Sequence, residues 1–286
     1  MATQKSASLD APLEMNKPST ITSTPVLPDL AEPVTNLQMD YLLYKKSVLT
    51  KALFKSKAVV SLLIGAFAGL FYRKFGPYCT PYNFRNGTLE GILNIFHSPF
   101  FVQDAFYLVL STAMIFSATL VAAWLQTNFL RDAAEEVPKH MEQYFGLDLE
   151  EYARSAVKSK LRKVPADVKQ KVKFMEKHSL VVQYRETPIA FIVQQKESES
   201  SFKITGFAVR RVYIKSGILA DLLDWAKKQV GPKQSSSVTV YSFETFDIDI
   251  LRESGFKLLR REPLDSFVLG TLFGITRDTY IYEGSS

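Results

Sequence analysis

The sequence predicts a membrane protein that consists of a two-helix transmembrane hairpin followed by a cytosolic α/β domain. Residues 105–130 form a run without a charged side chain. At about 1.5 Å per residue this run spans about 39 Å as a helix, which exceeds the roughly 30 Å hydrocarbon core of a bilayer. A second uncharged run lies upstream at 58–72, and the chain after residue 131 has the mixed, charged composition of a folded soluble domain.

The upstream run spans about 22 Å as a helix and is short for a membrane span. Lys55, Lys57, Arg73 and Lys74 flank it, and their aliphatic stems can extend to the lipid headgroups. A buried helix of a soluble protein is the alternative for this run alone. Paired with the longer run, it predicts a hairpin over 58–130 with the loop 73–104 outside the cytosol.

Two segments precede the hairpin. Residues 1–36 are rich in Pro, Ser and Thr and have no apolar period, which predicts a disordered tail. Residues 37–57 carry apolar side chains at helical spacing with lysines between them. This pattern predicts an amphipathic juxtamembrane helix that lies at the membrane surface or leads into it.

Basic residues indicate the orientation of the hairpin. Lysines concentrate before the first span, which by the positive-inside rule places both termini in the cytosol. Asn86 begins a glycosylation sequon in the loop, and its use is left open. The lysines that precede the first span and indicate this orientation are Lys45, Lys46, Lys51, Lys55 and Lys57.

Small residues recur on both predicted spans. Ser61, Gly65 and Gly69 follow one another at helical spacing, as do Ala113 and Ser117, so each set shares one face of its helix. Small side chains let helix backbones approach closely in lipid. These residues are the candidate contacts for a client helix. The alternative, that they hold the hairpin itself together, stays open.

Residues 131–178 are charged and helix-prone, and they predict a helical linker between the hairpin and the domain. The stretch 158–173 is strongly basic, which suits an anionic membrane surface. It lacks the interleaved aromatic side chains on which nucleic-acid bases stack, so we expect no nucleic-acid partner.

Residues 179–286 predict the α/β domain from alternating apolar segments and one strongly amphipathic helix. Ser216 is the expected N-cap of that helix. The expected strands are 180–184, 189–194, 202–213, 238–243 and 255–260, and the expected helices are 217–230 and 246–253.

Few residues of the domain point to chemistry. The chain has one cysteine and three histidines, which excludes an intramolecular disulfide and predicts no metal site. The acidic side chains, Glu244 and Asp247 among them, are expected at solvated helix positions. We therefore predict no catalytic residue, no cofactor and no bound metal.

The order of the elements resembles the GNAT acetyltransferase fold, and Ser254-Gly255-Phe256 is similar to the start of its last core strand. In GNAT enzymes a turn before the central helix holds the pyrophosphate of acetyl-CoA on backbone N–H groups. The corresponding turn here, 211–220, contains Gly217, but Leu219 stands where a small residue is expected. The resemblance implies a degenerate cofactor loop, with a membrane-tethered acetyltransferase as the alternative. Anion binding at Arg211 and Lys215 is a weaker option.

Several longer motifs resemble one particular family. They are the segments 184–190, 210–218 and 240–243, with Asp224-Trp225-Ala226, Gly255-Phe256 and Leu272-Phe273-Gly274. Together with the two spans, they resemble the fungal endoplasmic-reticulum (ER) chaperones that package the high-affinity inorganic phosphate transporter for export.

That resemblance implies an ER-resident protein with two spans and cytosolic ends. Such a protein is needed for folding or ER exit of the H+/phosphate transporter and thereby supports phosphate uptake. The implied partners are the polytopic phosphate transporter and the lipid bilayer, and contact with coat machinery is left open. The family has no catalytic residues that could be carried over.

Overall fold

The computed structural model describes residues 21–79, 87–158 and 166–284. They divide into two compact units. The sheet unit holds the described residues up to Leu49 together with those from Phe129 onward, and the hairpin unit holds the described residues of Thr50–Asn128.

The described helices are numbered in chain order. They are α1 Ala31–Lys55, α2 Lys57–Phe75, α3 Thr88–Phe96, α4 Phe101–Gln126, α5 Asn128–Glu136, α6 Met141–Phe145, α7 Leu149–Lys158, α8 Ala166–Lys177, α9 Ile218–Lys228 and α10 Thr245–Glu253.

The sheet unit is built on a seven-stranded mixed sheet of order β1-β2-β3-β4-β5-β7-β6. Neighbouring strands are antiparallel except β4 and β5, which are parallel. The strands are β1 Ile21–Thr24, β2 Ser179–Tyr184, β3 Thr187–Lys196, β4 Ser201–Val209, β5 Ser235–Tyr241, β6 Lys257–Pro263 and β7 Thr276–Glu283.

Helices cover both faces of this sheet. The amide of Gln194 donates to the carbonyl of Ala226 in α9, whereas the amide of Gln195 donates to the carbonyls of Glu142 and Gln143 in α6. Successive side chains of a strand point to opposite faces. Accordingly, α6 and α9 lie on opposite sides of β3, whose apolar residues are buried between them.

The tail predicted as disordered is partly folded. Residues 1–20 lie outside the described residues, but β1 pairs with β2, and Val26, Leu30 and Val34 are buried in the core. The prediction was wrong for 21–36 because these apolar residues, although widely spaced among prolines, bury enough surface to offset the ordering entropy.

The helix expected at the membrane surface packs on protein instead. Leu37, Tyr41 and Leu42 of α1 belong to the core of the sheet unit. The expectation of a helix was right, but most of its apolar side chains up to residue 49 are buried or half-buried, with Leu43 the exposed exception. Burial against the sheet unit removes the reason to place this face on lipid.

The segment predicted as a linker is also part of the sheet unit. Its helices α5–α8 contribute Ala134, Phe145, Leu149, Tyr152 and Met175 to the same core. A linker prediction was wrong because these apolar side chains, sparse among charges, all face inward. Residues 159–165 of the basic stretch lie outside the described residues.

The strands expected in the α/β domain form, with two differences. The strand expected over 202–213 ends at Val209, and a 3-10 helix follows at Arg211–Ser216. Strand β7 was not expected and lies between β5 and β6. Ser216 is not the cap of α9: its hydroxyl donates to the Tyr213 carbonyl, and Gly217 occupies the cap position with φ +83°.

The hairpin unit contains two helices, α2 and α4, that are long and apolar enough to cross a membrane by length and composition. They contact each other around a small cavity of about 100 Å³. The cavity is lined by Leu63, Ala66, Phe67, Leu70, Thr112, Ile115 and Phe116. The predicted sequon at Asn86 lies outside the described residues.

Candidate functional site

The small residues of α2 do not face α4. Ser61, Gly65 and Gly69 are exposed. Apart from the adjacent residues and the nearby backbone of α2 itself, no atom lies within 4 Å of the position that a Cβ would take at either glycine. At about 100° per residue, these three residues lie on the side of α2 away from Leu63 and Leu70, which line the cavity against α4.

The small residues of α4 behave in the same way. Ala113 and Ser117 are exposed, while Thr112 and Ile115 line the cavity against α2. The two helices of the hairpin therefore contact each other through larger side chains. Both stripes of small residues point outward from the hairpin unit, so the spacing predicted each shared face but did not predict its direction.

A second notable region lies where β4 and β5 separate. Their parallel pairing extends only from Ser201 opposite Ser235 to Ile204 opposite Val238, although both strands continue further. Side chains of α1 bridge the diverging strands: the ring of Tyr41 packs edge-on against Phe207 of β4, with 5.7 Å between ring centroids.

Two polar contacts fix α1 at this place. The Lys45 Nζ lies 2.8 Å from a carboxylate oxygen of Glu244, just beyond β5, and the Tyr41 hydroxyl donates to Asp247 over 2.6 Å. The Lys45 ammonium also lies 4.9 Å from the ring centroids of Tyr41 and Phe207. All four polar residues are buried. The expectation that Glu244 and Asp247 are solvated was wrong, because α1 covers them.

Burial and charge set the protonation of this cluster. Burial, with a smaller contribution from the neighbouring Asp247, raises the pKa of Glu244 to about 7 against the opposing charge of Lys45. Burial lowers the pKa of Lys45, but the carboxylates of Glu244 and Asp247 outweigh it and raise that pKa overall. Burial and Asp247 hold the pKa of Tyr41 well above its usual value. Lys45 thus stays charged, and Glu244 is the group that titrates near neutral pH.

The turn expected to resemble a cofactor loop is packed differently from an open phosphate cradle. Residues 211–216 form the 3-10 helix, and Leu219 is buried in the core of the sheet unit. Arg211 and Lys215 are exposed. Within the described ranges, no three His, Cys, Asp or Glu side chains are grouped as metal ligands.

Solved structures similar to the C-terminal part of the chain include acetyltransferases of GNAT-like fold. The ribosomal-protein-S18-alanine N-acetyltransferase of Escherichia coli is 14% identical, with 48% of this chain and 89% of that chain covered and a TM-score of 0.33. An IAA acetyltransferase from Bacillus cereus is 12% identical, with 40% and 83% covered and a TM-score of 0.31. These distant likenesses carry no argument about activity. No curated protein matches the chain.

The whole-chain comparison is more informative. The family described as "Inorganic phosphate transporter chaperone Pho86" matches residues 3–283, a range that includes α1, both apolar helices and the entire sheet. The resemblance to the phosphate-transporter chaperones is thereby confirmed. The chain therefore belongs to the inorganic phosphate transporter chaperone family Pho86.

Proposed function

We propose that the chain acts in the ER membrane, where its α2–α4 hairpin spans the bilayer and recognises helices of the phosphate transporter. Membership in the chaperone family indicates that the client is an inorganic phosphate transporter. The observation that carries the proposal is the outward direction of Ser61, Gly65, Gly69, Ala113 and Ser117.

The physics of helix association in lipid supports this role for the small residues. The hydrophobic effect does not drive helices together within a bilayer, so close backbone packing matters more. Open space at Gly65 and Gly69 lets the backbone of another helix approach α2 closely. Large apolar side chains elsewhere on the hairpin, such as Ile64 and Met114, are exposed and suit contact with lipid.

The proposed topology places both termini in the cytosol. Lys51 and Lys55 precede the first apolar helix and Lys57 begins it, as the positive-inside rule requires. Lys45 no longer belongs to this basic group, because it is paired with Glu244 inside the sheet unit. Alkaline carbonate washing of membranes is expected to leave the chain in the pellet, and release into the supernatant would contradict the spanning hairpin.

The alternative of a membrane-tethered acetyltransferase has less support. Side chains of α1 occupy the place where β4 and β5 separate, and Leu219 is buried where a cofactor loop would need open backbone. Calorimetric titration with acetyl-CoA distinguishes the two functions. It requires the full chain, because β1 and α1 are part of the folded sheet unit.

The test of client recognition is the double variant Gly65→Leu with Gly69→Leu. Filling this face blocks close approach of a client helix, so we expect much less phosphate transporter to co-purify and less transporter to reach the cell surface. The matched control, Val60→Phe with Ile64→Phe, adds bulk at exposed positions on another side of α2. Unchanged co-purification of the glycine variant would remove these residues from the mechanism, provided that Trp225 fluorescence in a Trp124→Phe background shows a folded sheet unit.

A further inference from the structure

The loop between the two apolar helices contains a short amphipathic helix whose apolar face is uncovered. Leu89, Ile92, Leu93 and Phe96 of α3 stand at positions i, i+3, i+4 and i+7, which places them on one face. Their exposed fractions are 77%, 46%, 55% and 60%. Among the described residues nothing covers this face, and an exposed apolar face of this kind is typical of a surface that contacts a partner or a membrane.

Aromatic contacts hold α3 at one end of the hairpin. The ring centroid of Phe96 lies 4.7 Å from that of Phe101, which is the first residue of α4. The ring centroid of Phe101 lies 5.6 Å from that of Phe75, which is the last residue of α2. An ion pair of 3.0 Å between Lys74 and Asp104 joins the same ends of α2 and α4. The position of α3 is therefore tied to the level at which both apolar helices end.

We propose that α3 lies in the membrane–water interface with its Leu89–Phe96 face in the lipid. This proposal rests on the proposed function, because it takes α2 and α4 as membrane spans. Its support is the continuation of exposed apolar side chains from α3 into α4: Phe96 contacts Phe101, and exposed Phe100 and Val102 stand on either side of Phe101 in the chain. Exposed aromatic side chains and the apolar face of an amphipathic helix are typical of the boundary between hydrocarbon and headgroups.

The charged residues of α3 indicate which lipid headgroups it requires. Glu90 is its one charged side chain, and α3 carries no Lys or Arg. The side chains of α3 itself therefore add no attraction to anionic headgroups, and burial of apolar surface must hold the helix in place. Insertion is expected in vesicles of pure phosphatidylcholine and is expected to be insensitive to salt.

Spin labels in the full chain test the proposal. In a Cys79→Ser background, single cysteines replace Leu93 on the apolar face, Glu90 beside it, or Met114 on α4. Each variant is labelled in phosphatidylcholine vesicles, and its collisions with oxygen, which concentrates in lipid, and with an aqueous nickel chelate are compared. Labels at 93 and 114 are expected to favour oxygen, and the label at 90 to favour nickel.

The outcomes separate the two proposals. Oxygen preference at 114 with nickel preference at 93 would overturn the interfacial helix while leaving the spans intact. Nickel preference at both positions would overturn the spanning hairpin itself. A label at 93 that neither reagent reaches would mean that protein covers this face, which also overturns a lipid partner.

Discussion

Lys45 of α1 and Glu244 beyond β5 form an ion pair inside the sheet unit, with 2.8 Å between Nζ and the carboxylate oxygen. Only 10% of the lysine side chain and 3% of the glutamate side chain are exposed. Because α1 is followed after Ser56 by α2, Lys45 lies on the helix that leads into the hairpin. It links the N-terminal part of the chain to the end of the sheet's central parallel pair.

Replacing Lys45 with methionine is expected to destabilise the sheet unit strongly. The change leaves the buried carboxylates of Glu244 and Asp247 without a cation, and breaking a buried pair in this way costs about 3–5 kcal/mol. Urea unfolding in detergent, followed by Trp225 fluorescence in a Trp124→Phe background, measures the loss. Lys51→Met is the control, since Lys51 is an exposed lysine of the same helix. Equal stability of the two variants would contradict a structural role for the pair.

The titration of Glu244 predicts a pH dependence of stability. Its pKa is about 7 in the folded chain, against 4.5 for a free glutamate. Between these values the folded state holds a proton that the unfolded state has lost, so stability from this group falls as pH rises through about 7. Glu244→Gln cannot titrate. The difference in free energy of unfolding between Glu244→Gln and the unsubstituted chain is therefore expected to shift in favour of the variant between about pH 5 and about pH 8. A difference that does not change with pH would refute the raised pKa of Glu244.

The hydroxyl of Tyr41 makes a separable contribution. Tyr41→Phe removes the 2.6 Å hydrogen bond to Asp247 and leaves a buried carboxylate less well satisfied. We expect a loss of about 1–3 kcal/mol in the free energy of unfolding. Tyr44→Phe removes the same atom from a partly buried residue on the same helix, and a smaller effect is expected there. The urea midpoints of the two variants provide the comparison.

The cluster around α1 shows what local sequence patterns can and cannot predict. The two apolar helices follow from uncharged runs, and most strands follow from alternating apolar residues. Tyr41 and Asp247 are 206 positions apart, and no local pattern joins them. Strand β7 was missed because its sequence, TRDTYIYE, mixes charged and apolar residues. Its Asp278 is nevertheless buried, where it forms an ion pair with Arg261.

The candidate contact residues illustrate the same limit. Periodicity assigns Ser61, Gly65 and Gly69 to one face of α2, since the helical repeat alone determines that. It does not determine which neighbour that face meets. Only the packing of Leu63 and Leu70 toward α4 shows that the small residues point elsewhere.

The folded part of the N-terminal segment gives a direct test of its role. Val26 is fully buried, and its backbone N–H donates to the hydroxyl of Ser179 over 3.1 Å. Val26→Ala removes buried methyl groups and is expected to cost about 1–3 kcal/mol. Ile21→Ala, at a residue that is 67% exposed, is expected to have little effect. Thermal unfolding in detergent measures the unfolding temperature of both variants. Equally small decreases for the two would indicate that this segment is disordered and contradict its burial in the core.

Gly206 of β4 is expected to tolerate no side chain. A Cβ at this position would lie 2.9 Å from the carbonyl oxygen of Tyr144 and 3.4 Å from the ring of Phe191. The Tyr144 carbonyl cannot retreat freely, because it also accepts a 2.8 Å hydrogen bond from Thr205. Replacing glycine normally stabilises by about 0.4–1 kcal/mol through the unfolded chain, but overpacking costs about 1–3 kcal/mol. Gly206→Ala is therefore expected to lower stability and to speed amide hydrogen exchange in α6 and β4, and an unchanged exchange pattern would contradict this close approach.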